Sequence, residues 1–208
     1  MSVIRKPFRY SYTNVTLSLV LANGAVFVIT SLVESLGIYL ALVPGLVRYH
    51  RMYWQIFPYQ FVHSGVWHLL FNMLGLVFFG QTIEKKMGSS EMLLFYLLVG
   101  TLCGAGACAA YLCVGRLNVL LLGASGSIFA ILFLFSVMFP TALIYLWGVI
   151  PIPAPLLIVG YILFEIFGLF FSRDNVSHLT HLLGVLFAWG YIRIRFGIKP
   201  LKVWSIVP

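Results

Sequence analysis

The sequence predicts an all-α, polytopic membrane protein with six transmembrane helices, and three observations carry that prediction. Hydrophobic residues make up 62% of the 208 residues and charged ones 9%, whereas a water-soluble domain carries roughly 25% charge to cover its surface. The apolar chain falls into six stretches, near 14–33, 66–82, 91–113, 125–139, 153–171 and 178–194, and a span needs about 20 apolar residues. Apart from Arg193 at the end of the sixth, the Lys and Arg residues lie between these stretches rather than within them. The whole chain, 1–208, therefore reads as a single membrane domain with a long first loop over 34–65.

The net charge of +8 follows membrane orientation. Arg5, Lys6 and Arg9 precede span one, Lys85 and Lys86 follow span two, and Arg193, Arg195, Lys199 and Lys202 follow span six. Arg48, Arg51, Arg116 and Arg173 fall in the opposite loops. The positive-inside rule places both termini in the cytoplasm. The partner implied by this charge is a lipid bilayer, with no nucleic acid. The first apolar segment is too long for a signal peptide and lacks a small-residue cleavage site, so a retained helix is expected.

Taken in order, the loop after span one carries Arg48-Tyr49-His50-Arg51 and Tyr53-Trp54, a composition suited to a half-embedded interfacial anchor. Span two opens with His63 and His68 on either side of Ser64-Gly65-Val66-Trp67, and His68, Asn72 and Gly75 follow on one helix face. Span three has Gly100, Gly104 and Cys108 at spacings of four, a stripe for close packing. Cys103, Cys108 and Cys113 do not stack on one face and read as packing residues, not as a disulfide framework. Span four begins at Ser125 and is short, about 15 residues or about 22 Å. Against a hydrocarbon layer of about 30 Å, that length sinks Ser125 roughly 8 Å below the outer surface, in a water-filled pocket. Pro151, Pro153 and Pro155 predict a rigid cytoplasmic connection into span five that excludes helix. Glu165 lies inside span five; it is expected to pack or hydrogen-bond to a neighbouring helix, with a proton or ion path as the alternative. Span six aligns His178, His181, Gly184 and Ala188 on one stripe.

Spans two, four and six run in the same direction, so their first residues share the outer leaflet. Gly126 offers a gap to the small residues of span six, and close approach there brings the His181 imidazole to the Ser125 hydroxyl. Serine is a weak nucleophile until a base takes its proton, so the pairing predicts peptide-bond hydrolysis within the membrane. No carboxylate is visibly placed to complete a triad, and a Ser125/His181 dyad is the economical reading. His68, Asn72 and the Ser125 backbone N–H would donate to the developing oxyanion. Gly123-Ala124-Ser125-Gly126 on its own is more often a packing turn than a nucleophile; the histidines at matching depth reverse that reading. Ser127 is a rival nucleophile but lacks glycines on both sides. A metal site built from His63, His68, His178 and His181 has no carboxylate or cysteine at the same depth, so neither metal nor other cofactor is expected.

Several strings together carry a family likeness. Gly123-Ala124-Ser125-Gly126, the run His63 to Asn72 (HSGVWHLLFN), Glu84-Lys85-Lys86-Met87-Gly88 and His181-Leu182-Leu183-Gly184 resemble the motifs of the rhomboid intramembrane serine proteases, in that family's order, over about residues 50–195. The resemblance implies a six-helix rhomboid core with Ser125 as nucleophile, His181 as general base and His68 and Asn72 as oxyanion donors. His63, Gly123, Gly126 and Gly184 would support the site. Substrates would be transmembrane segments of other proteins, cleaved near the outer face at small residues in helices that unwind easily, with entry near span five and the cap before span six. By analogy, the short chain suggests a bacterial inner membrane.

Three positions depart from the family pattern. The first-loop Trp-Arg pair is Trp54-Gln55, which puts loop anchoring in question; Thr180 replaces an alanine before His181; and Ala188 replaces a glycine. The last two are small changes that should be tolerated, with a slightly wider contact between spans four and six as the alternative. The alternatives are a catalytically inactive rhomboid-like protein that binds membrane helices for quality control, and a small transporter using Glu165 and the histidines. The transporter predicts inverted repeats or paired broken spans, which the sequence does not display.

Overall fold

The computed structural model describes residues 7–146, 148–172 and 177–205. Arg5, Lys6 and Arg173, which enter the orientation argument, lie outside the described residues.

The first helix, α1 (Val15–Leu32), follows Asn14, whose backbone is left-handed at φ 56. The first loop is built, not open: it holds α2 (Glu34–Leu40), α3 (Pro44–His50) and two tight turns over Tyr53–Ile56 and Pro58–Phe61. Gln55, standing where the resemblance expects an arginine, is fully buried. Its amide N–H groups reach the Ile38 and Tyr39 carbonyls at 3.1 and 3.3 Å, and its oxygen accepts the Val43 N–H at 3.1 Å. Trp54 adds an indole N–H bond to the Tyr39 carbonyl. A neutral amide that both donates and accepts anchors the loop without an ion pair.

The second spanning rod joins α4 (Val66–Gly75) to α5 (Gln81–Met87) through one wide π turn, Leu76–Gly80. Gly88, at φ 89, then lets the chain double back into α6 (Ser89–Cys113). This reversal is fastened by Glu84, whose carboxylate accepts the Val15 and Thr16 N–H groups at 2.6 and 2.9 Å. A carboxylate at a helix N-terminus satisfies orphan donors and opposes the helix dipole.

The small-residue stripe of α6 receives the first loop. A side chain on Gly104 would strike the Tyr59 ring, and one on Gly100 would strike the Gln60 side chain and the Ser127 hydroxyl. Tyr59 uses the closeness to donate its hydroxyl to the Gly100 carbonyl at 2.7 Å. Cys103 and Cys108 are buried and Cys113 is exposed, all three as free thiols.

Next comes α7 (Ser125–Met138), an apolar helix of 14 residues. It is apolar all round, and packs against α6 and, as the two follow it in the chain, against α8 (Ala154–Phe171) and α9 (His178–Tyr191). Between α7 and α8 the chain forms a short antiparallel hairpin, β1 (Leu143–Leu146) with β2 (Ile150–Pro153). Ala154 N–H bonds to the Ala142 carbonyl, so by the alternation of an antiparallel ladder Pro153 and Pro151 occupy positions whose missing N–H would point outward. The sequence expectation for the prolines fails at Pro155, which lies in the first turn of α8. There an N–H has no intrahelical acceptor, so proline costs nothing and presets φ.

Among the described residues four helices are long and apolar enough to cross a membrane: α1, the rod Val66–Met87, α6 and α8. On α8, Leu163, Phe164, Phe167 and Phe170 are exposed, which suits contact with hydrocarbon. Helix α9 runs on through the π turn Ile192–Phe196 to Gly197 and is followed by α10 (Pro200–Trp204).

Candidate active site

Ser125 is the first residue of α7, and the segment before it is held on two sides. Leu42 and Leu121 exchange backbone hydrogen bonds of 2.9 Å, Gly45 N–H reaches the Leu117 carbonyl at 2.8 Å, and Gly123 N–H reaches the Tyr59 carbonyl at 3.0 Å. Gly123 has φ 109, where a side chain is strained. The space its side chain would fill is occupied by the His68 ring. Glycine is required there for both reasons.

Helices α7 and α9 meet backbone to backbone. A Cβ on Gly184 would collide with the Gly126 carbonyl oxygen, and one on Gly126 would meet the Thr180 methyl at 3.1 Å. This approach brings His181 Nε2 to 2.7 Å from Ser125 Oγ. Thr180 and Ala188 sit within this close approach: the threonine methyl lies beside Gly126, and Ala188 is fully buried. Ser125 keeps part of its surface open, whereas His181 is buried. Ser127 is spoken for, since its hydroxyl donates to the Tyr96 carbonyl at 3.0 Å in the core.

His68 packs on Gly123 while Gly75, two turns further on, meets Ile128. Both contacts advance in the same sense, so α4 and α7 run parallel and Asn72 lies near the level of Ser125. His68 Nδ1 faces the Ser64 N–H at 3.5 Å and the Ser64 hydroxyl at 3.1 Å. A backbone N–H can only donate, so Nδ1 accepts and the ring proton sits on Nε2, the nitrogen beside Gly123. Asn72 is buried and donates one amide N–H to the His68 carbonyl at 2.8 Å. His63 stands edge-on to His68 with ring centroids 5.0 Å apart, and its Nδ1 lies 3.2 Å from the Phe61 carbonyl. Burial, reinforced by the neighbouring His68, pushes the His63 imidazole down to about 4, so it stays neutral at ordinary pH.

Two side chains join the cluster that sequence reasoning did not place there. Phe129 lies flat on the His181 ring, centroids 4.4 Å apart and planes 4° from parallel. Its spacing of four from Ser125 was a usable signal, because it puts the two on one face of the helix. Glu165 of α8 is the other. Its Oε2 is 2.6 Å from His178 Nδ1 and its Oε1 is 3.0 Å from His181 Nδ1. The first contact is a hydrogen bond between neighbouring helices; the second is at ion-pair distance but off the line that a hydrogen bond requires. A carboxylate does therefore stand behind the imidazole, where the sequence reading expected a dyad without one. Among the described residues no group of His, Cys, Asp and Glu is arranged to hold a metal ion.

A hydroxyl in contact with an imidazole, beside donors from a second helix, is an arrangement able to attack a carbonyl and receive the resulting negative charge. The family model of the rhomboid domain matches residues 50–197. The chain is 31% identical over 201 residues to RHOMBOID-like protein 12, mitochondrial, of Arabidopsis thaliana, covering 88% of this chain and 59% of that protein. It is 31% identical over 137 residues to Rhomboid protein 1, mitochondrial, of Saccharomyces cerevisiae, covering 62% of this chain and 39% of that protein. A Bacillus subtilis relative is 27% identical over 135 residues, covering 64% of this chain and 62% of that protein. The chain thus spans less than two thirds of the length of each of these relatives.

Proposed function

The chain belongs to the rhomboid family of membrane proteins, and from that premise we propose that it is an intramembrane serine endopeptidase. The single observation that carries the proposal is the 2.7 Å contact between Ser125 Oγ and His181 Nε2. In the reaction, Nε2 takes the hydroxyl proton as Oγ attacks the scissile carbonyl carbon. The carbonyl oxygen becomes an anion held by the Ser125 backbone N–H, His68 Nε2–H and the Asn72 amide. When the tetrahedral species collapses, the imidazolium passes its proton to the leaving amine. Water then attacks the acyl group on Ser125, with the same imidazole as base. No cofactor enters any step.

The substrates are transmembrane segments of other proteins, met within the bilayer near its outer face. The whole chain acts as one membrane domain of six spans, the four long helices joined by α7 and α9, with both termini cytoplasmic. The relatives above do not support the bacterial inner membrane expected from the sequence, since two of the three are named as mitochondrial.

The test is cleavage of a reporter transmembrane substrate by the purified protein in proteoliposomes, beside Ser125→Ala and His181→Ala. Loss of at least about 10³-fold in both variants is expected, because nucleophile and base act as a unit. Equal cleavage by all three proteins removes the proposal, as does a fluorophosphonate probe that labels Ser127 instead of Ser125. An inactive helix-binding protein predicts no cleavage by any of the three.

A further inference from the structure

Both histidines at the start of α9 converge on one buried carboxylate from another helix. Glu165 is 4% exposed, and its two oxygens are shared between His178 and His181. The His181 ring is thereby spanned from end to end, with Nε2 at the Ser125 hydroxyl, Nδ1 facing Glu165 and one ring face on Phe129. The pose of Glu165 is set by packing. The His178 ring fills the space that a side chain on Gly168 would need, so α8 and α9 close together one turn from Glu165.

We infer that Glu165 is a positioning residue for hydrolysis, making the dyad a Ser125-His181-Glu165 relay of fixed polarity; this rests on the protease reading above. An ionised carboxylate accepts and cannot donate. At 3.0 Å it therefore favours the tautomer with the proton on His181 Nδ1, which leaves Nε2 unprotonated toward Ser125. When Nε2 takes the Ser125 proton, the imidazolium carries a full charge in a buried setting, and the carboxylate offsets it. The Nδ1 proton stays on the ring and Glu165 stays ionised throughout. The off-line geometry in the resting enzyme is no obstacle, because such contacts tighten as charge develops. His178 holds the second oxygen and so keeps the carboxylate from turning away.

The titratable groups facing His181 among the described residues are Glu165 from α8, His178 from its own helix and His68 from α4. The experiment compares the full-length protein with Glu165→Gln and Glu165→Asp in proteoliposomes, reading kcat, KM, the pH–rate profile and the melting temperature. For Glu165→Gln we expect kcat to fall about 10²-fold at unchanged KM, with the acidic limb of the profile moving to lower pH. Glu165→Asp should recover part of kcat and return the limb toward the parent position. A parent-like kcat and pH profile in Glu165→Gln overturns the inference, as does a kcat loss that merely follows a falling melting temperature in both variants. The ¹⁵N shifts of the His181 ring, assigned with His181→Ala, supply a readout independent of turnover. A proton on Nδ1 in the parent that is lost or mixed in Glu165→Gln supports the inference, and identical ring spectra overturn it. A parent that neither cleaves nor labels at Ser125 defeats the protease reading, and the ring spectra then decide the role of Glu165 alone.

Discussion

Helix α9 has a carboxylate at each end, and the two are surrounded differently. At its start Glu165 meets two imidazoles. Toward its end Glu91 accepts Arg195 Nε and Nη2 at 2.7 and 2.8 Å, together with the Tyr191 hydroxyl and the Phe8 N–H. Nearby, Glu84 accepts two backbone N–H groups and the Ser89 hydroxyl. The partners of Glu84 and Glu91 keep their protons across the working pH range, so those carboxylates can only hold the frame. Imidazole changes its protonation in that range. A buried acid surrounded by fixed donors is a fastener, whereas one between imidazoles can orient a ring and offset the charge it gains on taking a proton.

The comparison can be sharpened at both ends. The largest effect is expected from Gly184→Val, which drives a branched side chain into the Gly126 carbonyl: fluorophosphonate labelling of Ser125 should fall about 10³-fold, equivalent to about 4 kcal/mol in the barrier. Arg195→Met should act oppositely, lowering unfolding stability by about 3–4 kcal/mol because Glu91 is left buried without its cation, while the folded fraction labels at the parent rate. Impaired labelling of folded Arg195→Met would break the division between the two ends.

A third effect is on pH dependence. The His63 imidazole is lowered from 6.5 to about 4 by burial, so its contribution to stability is complete above pH 6.5 and is lost as pH falls toward 4. Over that interval the parent should lose about 3 kcal/mol more than His63→Gln, at 1.36 kcal/mol per pH unit, as read from denaturant unfolding in detergent. Smallest is Glu84→Ala, which uncaps α1 and should cost about 2 kcal/mol with no change in Ser125 labelling.

How much of this was legible beforehand follows from the range of each signal. Ser125 and His181 could be paired because their partners are local in sequence: glycines beside the serine, a small-residue stripe along the histidine helix. Glu165 could be seen as costly but not located, since the rotation of α8 against α9 depends on Gly168 and the His178 ring, and no periodicity within one span reports it. The loss of the first-loop arginine looked like a defect. Only the folded loop reveals that three backbone groups converge where an amide serves them all. The alternating prolines gave rigidity but not pairing, because the hairpin needs Leu143–Leu146 from across the turn, and Pro155 was misread by treating a helix start like a helix interior.

The wide turn Leu76–Gly80 works as a phase shifter. His68 and Glu84 are 16 residues apart, which on an unbroken α-helix would set them about 160° around the axis from one another. One extra residue accommodated in the π turn brings that offset to roughly 60°. A single rod can thus aim its upper half at the serine and its lower half at the start of α1, and excising one residue from the turn would throw the two halves out of step.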